Sequence, residues 1–353
     1  MTDATPWRVL GHDRVVEPLL RSVRAGRAAH AYLIAGPPRV GKGTLARTLA
    51  AAFCCPEPEA PCGACGVCRR IAAGKHPDVE TLAPGGVCDE SEHDHSRDSS
   101  RDVRICQVRR IERMLNLAPF EGRARVVIIE PADALNAQSA DAFLKTLEEP
   151  PPTSVIILVA VDPWALPETI RSRCRLVTLR TLAVATLTRL LAEECAAPPD
   201  QAELLARLSG GHVGWALAAL ADPAFLTARA EQLDQIETVA AAGRFARFEY
   251  AEGLAARFAR NREDVYAALG VWVSWWRDVL LTAVGAAGGV VNVDRRAQLA
   301  AASARFDPAA TLRFLHALRQ CRRDLEANVN PRLALEHLML VAPTPRAALR
   351  DAG

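Results

Sequence analysis

The sequence predicts an α/β protein: a buried parallel sheet with helices on both faces, followed by a second half made of helices alone. Three observations predict this. Short, nearly all-apolar runs alternate with helical patterns up to about residue 180, as strands buried on both faces do. Beyond that point strand-like runs stop and long helical periodicities take over. At 353 residues the chain also exceeds one ordinary core, so two or three domains are expected.

Taken in order, the strands are Tyr32–Ala35, Val79–Leu82, Arg125–Glu130, Val155–Val161 and Cys174–Leu179, with helices over Val15–Arg24, Gly43–Phe53, Gln107–Leu117, Ala137–Leu147 and Pro167–Arg171. They form a first domain over residues 1–180. Residues 181–223 read as three short helices (Leu182–Cys195, Gln201–Leu208 and Val213–Ala221), a small separate lid. Residues 224–353 carry longer helices, broken at Gly285–Gly289 and capped by Asn330-Pro331. There Trp272, Trp275 and Trp276 recur at i, i+3 and i+4, the spacing of a helix face turned into a bundle core. One stretch, about 85–104, is rich in Asp, Ser, His and Arg and reads as a solvated polar insertion. Its Cys88, His93 and His95 lack the regular spacing of metal ligands.

Half the residues are apolar and the net charge is +2, too balanced for a protein that grips nucleic acid alone through a basic face. No run approaches membrane-spanning length and no apolar leader opens the chain, so a cytoplasmic location is expected. The ten cysteines are clustered, which suits a cytosolic protein that uses some of them for metal.

Residues 31–44 nearly spell a phosphate-binding loop. Gly36, Gly41 and Lys42 stand at their places in G-x-x-x-x-G-K-[ST], between an apolar strand and a helix. Gly43 stands where a magnesium-holding hydroxyl belongs, and Thr44 follows one residue later. One helical residue is about 100° of rotation, so that hydroxyl should point elsewhere. Only three basic residues are lysines (Lys42, Lys75 and Lys145), and one occupies the position where a compact ammonium must reach phosphates.

Just after this helix comes Cys62-Gly-Ala-Cys65-Gly-Val-Cys68, with Cys54 and Cys55 shortly before. Overlapping C-x-x-C units make thiolates converge, and four thiolates around Zn²⁺ give a closed structural site over about residues 54–70. Spacing alone leaves the fourth ligand open between Cys54 and Cys55.

Several longer motifs are more specific. His30-Ala-Tyr-Leu-Ile34, the cysteine knuckle, Lys75-His-Pro-Asp78, Ala142-Phe-Leu-Lys-Thr-Leu-Glu-Glu-Pro150, Leu166-Pro-Glu-Thr-Ile-Arg-Ser-Arg-Cys174 and Asn330-Pro-Arg-Leu-Ala-Leu-Glu336 follow one another along most of the chain. In kind and order they resemble bacterial clamp-loader AAA+ subunits, and the last motif resembles the delta-prime branch more than the gamma/tau branch. The resemblance implies a RecA-like AAA+ domain with a zinc module, an all-α lid and an all-α collar that assembles a hetero-pentamer. It implies Cys55, with Cys62, Cys65 and Cys68, as the zinc ligands. It also implies Arg173 of Ser172-Arg173-Cys174 as an arginine finger acting in trans on a neighbour's nucleotide. The implied partners are gamma/tau and delta subunits, with the sliding clamp and primed DNA reached through the complex.

Against that pattern the hydrolytic parts are missing. The strand Val126-Val-Ile-Ile-Glu130 is followed by Pro131, which offers no carboxylate, and Asp133 is expected to cap the next helix. The strand ending at Ala160-Val161 supplies no polar sensor, and Gly210-Gly-His-Val-Gly-Trp215 supplies no lid arginine, with His212 expected at the surface. ATP or ADP binding through the surviving loop stays open. The leading expectation is a stator subunit of the DNA polymerase III clamp loader without hydrolysis of its own. The alternatives are a gamma/tau-like ATPase and a stand-alone zinc protein that binds DNA.

Overall fold

A computed structural model describes residues 9–85, 88 and 102–346. Most of the polar insertion, including His93 and His95, lies outside the described residues. The chain divides into two compact units, the first holding the chain up to Cys195 together with Ser209–Trp215, the second holding Ala196–Leu208 and everything from Ala216 on. The segment expected to form a separate lid is thus shared between them.

The first unit contains α1 (Asp13–Arg24), β1 (Ala31–Ala35), α2 (Lys42–Cys54), α3 (Gly66–Ala72), β2 (Val79–Leu82), α4 (Ile105–Leu115), β3 (Arg125–Ile129), α5 (Ala137–Glu148), β4 (Ser154–Ala160), α6 (Glu168–Arg171), β5 (Arg175–Thr178) and α7 (Val184–Glu194). The five strands form one parallel sheet in the order β2-β3-β4-β1-β5. β1 lies between β4 and β5, with Ala31 opposite Ile156 and Leu33 opposite Leu176.

Each strand sends alternate residues to opposite faces, and in the central strands β1, β3 and β4 both faces are buried, while the edge strands β2 and β5 carry exposed residues. Tyr32, Ile34, Val126, Ile128 and Ile157 join the core under α2, while Leu33, Val127, Ile129, Ile156 and Leu158 join the core under α4 and α5. This is why the strands read as continuous apolar runs rather than alternating ones. The expected strands agree with the observed ones to within a residue, and the arrangement is the expected parallel sheet with helices on both faces. Open α/β sheets bind ligands beyond the carboxyl ends of their strands, which directs attention to the segments after β1, β3 and β4.

Asp78, just before β2, braces this unit. Its side chain is fully buried. It accepts the amides of Phe120 (2.6 Å), Glu121 (2.9 Å) and Gly122 (2.8 Å), and Arg125 stands 3.6 Å away. Arg125 in turn donates to the carbonyls of Leu117 and Ala118. Lys75-His-Pro-Asp78 is therefore the anchor of the turn that feeds β3.

Beyond α8 (Pro199–Leu208) and α9 (Val213–Ala221) come α10 (Pro223–Ala241), α11 (Arg244–Arg260), α12 (Arg262–Ala283), α13 (Arg296–Arg305), α14 (Pro308–Glu326) and α15 (Pro331–Leu340). Trp272, Trp275 and Trp276 of α12 are almost fully buried. Trp276 packs edge-on to Phe306 and Phe314, and the Trp272 indole donates to the Tyr250 hydroxyl at 3.1 Å. The tryptophan face is bundle core, as its spacing suggests. Helix α13 was not anticipated, because its Ala-rich surface buries only Leu299 and carries little hydrophobic contrast. No helix among the described residues is long and apolar enough to cross a membrane.

Burial alone would raise the Asp78 pKa, but the three amides and Arg125 together hold it below the ordinary carboxylate value. Its contribution to stability is then fully present above the unfolded carboxylate pKa of about 3.9 and is lost as pH falls through the lower folded value. Replacing Asp78 with Ala leaves three amides without an acceptor and is expected to cost about 2–4 kcal/mol at pH 7. Urea unfolding of both proteins should show that gap shrinking as the pH is lowered below about 4.

Candidate functional site

The loop after β1 adopts a form that its glycines permit. Gly36 has φ 147°, and a Cβ there would lie 2.1 Å from the Leu179 carbonyl oxygen, so no side chain fits. Gly41 has φ 101° and starts α2, in the left-handed region open to glycine. Lys42 follows in the first turn, buried, and its Nζ donates to the carbonyls of Gly36 and Pro37, both at 2.7 Å. Burial pulls the Lys42 pKa down, and the nearby Glu130 and Asp133 carboxylates oppose that. Thr44 sits half-buried in the first turn of α2, where its carbonyl accepts from the Thr48 hydroxyl at 2.8 Å.

The crest of the loop is also engaged. The Pro38 carbonyl lies 2.7 Å from His212 Nδ1, and because a carbonyl can only accept, that nitrogen carries the proton. Arg39 has φ 57°, and its carbonyl accepts the Gly214 amide at 2.8 Å. A Cβ on Gly214 would stand 2.8 Å from that same oxygen. His212 is therefore half-buried against the loop rather than a free surface residue.

Glu130, just past β3, presents its carboxylate to the start of α2. A Cβ at Gly43 would lie 2.7 and 2.8 Å from its two oxygens. Asp133 does not cap α5 as expected. Its oxygens accept the amides of Val161 (2.7 Å) and Asp162 (3.1 Å), fastening the end of β4. The cap of α5 is Asn136, whose side chain accepts the Ser139 amide at 2.9 Å. Asp133 is the middle residue of a short 3₁₀ turn over Ala132–Ala134 ahead of the helix, and the sequence gives no local sign of it.

The cysteine module brings together the four expected side chains. Cys55, Cys62, Cys65 and Cys68 hold their sulfurs within 4.8 Å of one another. Three separations are 3.7 Å (Cys55–Cys62), 3.9 Å (Cys55–Cys65) and 4.0 Å (Cys62–Cys68). A tetrahedral zinc at about 2.3 Å from each sulfur sets edges of about 3.8 Å, so the donor set fits that ion. Amides of Cys65 and Cys68 point at the sulfurs of Cys62 and Cys65, at 3.3 and 3.4 Å. Hydrogen bonds of this kind, the Cys65 amide foremost, pull the Cys62 thiol down to about 7. Cys54 stands apart. It donates to the Ala124 carbonyl at 3.4 Å, and burial pushes its pKa to about 12.

Arg173, after α6, is held on three acceptors. Its Nη2 meets Glu148 Oε1 at 2.5 Å, and its Nη1 donates to the Thr169 carbonyl (2.8 Å) and the Ser172 hydroxyl (3.3 Å). Its side chain is 35% exposed. Neighbouring Arg171 lies instead over the Trp164 ring, 4.1 Å from its centroid, and Arg175 opens β5. Sequence reading did not single out Glu148. Its signal was available, because an acidic residue ending a helix opposes the macrodipole and needs a nearby cation.

The sequence profile of the family described as DNA polymerase III, delta subunit, matches residues 11–183, and that of its C-terminal part matches residues 223–342. The chain is 36% identical to the delta' subunit of DNA polymerase III from Pseudomonas aeruginosa over 219 residues, an alignment that spans 60% of each protein. It is 26% identical to the Bacillus subtilis delta' subunit over 341 residues, 96% of this chain and 98% of that one. It is 33% identical to the Escherichia coli tau subunit over 61% of this chain and 33% of that protein. Among solved structures, a gamma subunit-related protein of Thermotoga maritima covers 93% of this chain and 98% of its own, with 17% identity and a TM-score of 0.44. The two profile matches fall on the sheet unit and on the helical unit in turn, and the chain belongs to the delta-prime family of DNA polymerase III clamp-loader subunits.

Proposed function

We propose that this subunit is a stator that does not turn over ATP itself and that lends Arg173 to the nucleotide of an adjacent ATPase subunit while a sliding clamp is loaded on primed DNA. The observation that carries this reading is glycine at position 43, where a phosphate-binding loop places a hydroxyl. Phosphoryl transfer is mostly positioning and charge stabilisation, so it needs a magnesium-holding hydroxyl and a water-orienting group together. Gly43 has no hydroxyl to offer. Pro131 adds no acid, and Asp133 is occupied with two amides of its own sheet.

Arg173 supports the second half of the proposal. A guanidinium supplied in trans neutralises charge on the phosphoryl group in flight. The expected partners are gamma/tau and delta subunits in a hetero-pentamer. The other reading, a gamma/tau-like ATPase, is favoured by intact Gly36, Gly41 and Lys42 and by the identity to the tau subunit. Against it, position 43 lacks the hydroxyl and Pro131 stands where a carboxylate would follow Glu130. The Cys55, Cys62, Cys65 and Cys68 cluster is read as a structural Zn²⁺ site, closed to chemistry.

Three outcomes follow from this reading. The purified chain should release no sustained phosphate from ATP, and Gly43→Thr should not create turnover, because Pro131 still supplies no acid at the end of β3; steady turnover by the wild type would favour the motor reading instead. In a complex reconstituted with the ATPase subunits, Arg173→Ala should cut clamp- and DNA-stimulated hydrolysis by roughly 10²–10³ at the one interface it serves. Elemental analysis should find one zinc per chain, and Cys65→Ser should lose it and lower Tm by roughly 5–10 °C.

A further inference from the structure

We infer that Glu148 is the positioning residue of the Arg173 finger: it fixes the guanidinium in one rotamer before a neighbour's nucleotide is presented, and leaves the Nε–H of that guanidinium available for phosphate oxygens. This deepens the trans-acting reading above and rests on it.

The first support is a local rule that the sequence breaks. Helix α5 ends with Glu148, and Glu149 follows as its C-cap. Two successive carboxylates thus stand at the negative end of the macrodipole, where cations are favoured and acids are a cost. Breaches of local preference tend to mark functional positions. Here the breach has a partner on the page, because the Glu148 carboxylate lies 2.5 Å from Arg173 Nη2.

The second support is donor accounting. A guanidinium carries five N–H groups in a planar fork. Nη1 donates to the Thr169 carbonyl and the Ser172 hydroxyl and Nη2 to Glu148, while Nε has no acceptor among the described residues. Nε–H therefore stays available, and an Nε–H with a terminal N–H is one of the pairs by which a guanidinium grips an oxyanion. Glu148 therefore need not release Arg173 for the finger to act. Both side chains are accessible, 35% and 51% exposed, and Arg171 does not compete for the carboxylate because it lies on Trp164.

Such a pair is worth little to folding, since exposed ion pairs contribute modestly. Its consequence is orientation. A free arginine samples many rotamers, and a finger already held spends none of that freedom at the moment of reaction. A parking role, in which the carboxylate withholds the cation, makes the opposite prediction.

The test uses the reconstituted complex of this chain with its ATPase partners, comparing Glu148→Ala, Glu148→Gln, Arg173→Ala and the double variant. Glu148→Ala should lower clamp- and DNA-stimulated kcat about tenfold, with KM for ATP and the assembled mass unchanged. Glu148→Gln, which keeps an acceptor oxygen at the same reach, should retain most of the activity. Adding Glu148→Ala to Arg173→Ala should cost nothing more, because the two residues act as one unit. A rise in activity on Glu148→Ala would overturn the inference, as would no change while Arg173→Ala is impaired, or losses that simply multiply in the double variant. Should Arg173→Ala itself run at the wild-type rate, the trans-acting role and the positioning role fall together.

Discussion

The loop between β1 and α2 closes on itself, and the segments packed around it depend on that closure. Glu130, just past β3, stands beside Gly43, and its flexible carboxylate would have to turn aside for a side chain there. Lys42 spends its ammonium on two carbonyls of its own loop, while Pro38 and Arg39 spend theirs on His212 and Gly214. The loop that shapes a phosphate cradle in a motor holds two segments of this subunit together. Its glycines remain necessary for a different reason, because Gly36 must pass within contact distance of the Leu179 backbone.

How much of this could be read in advance depended on the range of each interaction. The strands were legible because burial on both faces leaves an apolar run, and the three C-x-x-C cysteines because local spacing makes them converge. Cys54 and Cys55 were not separable by spacing. The distinction lies in the end of a helix: α2 terminates at Cys54, and Cys55 turns into extended backbone at φ −64° and ψ 130°. One sulfur then faces Ala124 and the other faces the knuckle. The helix starts at Ala137 as expected, but Asp133 sits in a 3₁₀ turn ahead of it and the cap is Asn136. The partners of Asp78 lie 42–44 residues away, and no local pattern announces them.

The heavy use of arginine divides along the same line between structure and chemistry. Arg247, nearly buried, grips the carbonyls of Ala240, Ala342 and Pro343, which fastens the chain after α15 to the helical unit. Arg229, equally buried, forks onto Asn292 and Asp294. Arg125 serves the carbonyls of Leu117 and Ala118. In each case a planar fork meets several fixed oxygens at once, which a lysine cannot do.

Arg173 uses the same fork differently. Its acceptors come from α5, α6 and its own neighbouring serine, and its Nε has no acceptor among the described residues. The structural arginines Arg229 and Arg247 grip oxygens of their own unit and are nearly buried there, so they hold rather than reach outward. A guanidinium with an unbonded donor can still bind an anion that arrives from outside. In the reading proposed above, Glu148 sets its orientation beforehand, at the cost of an acid at the negative end of α5.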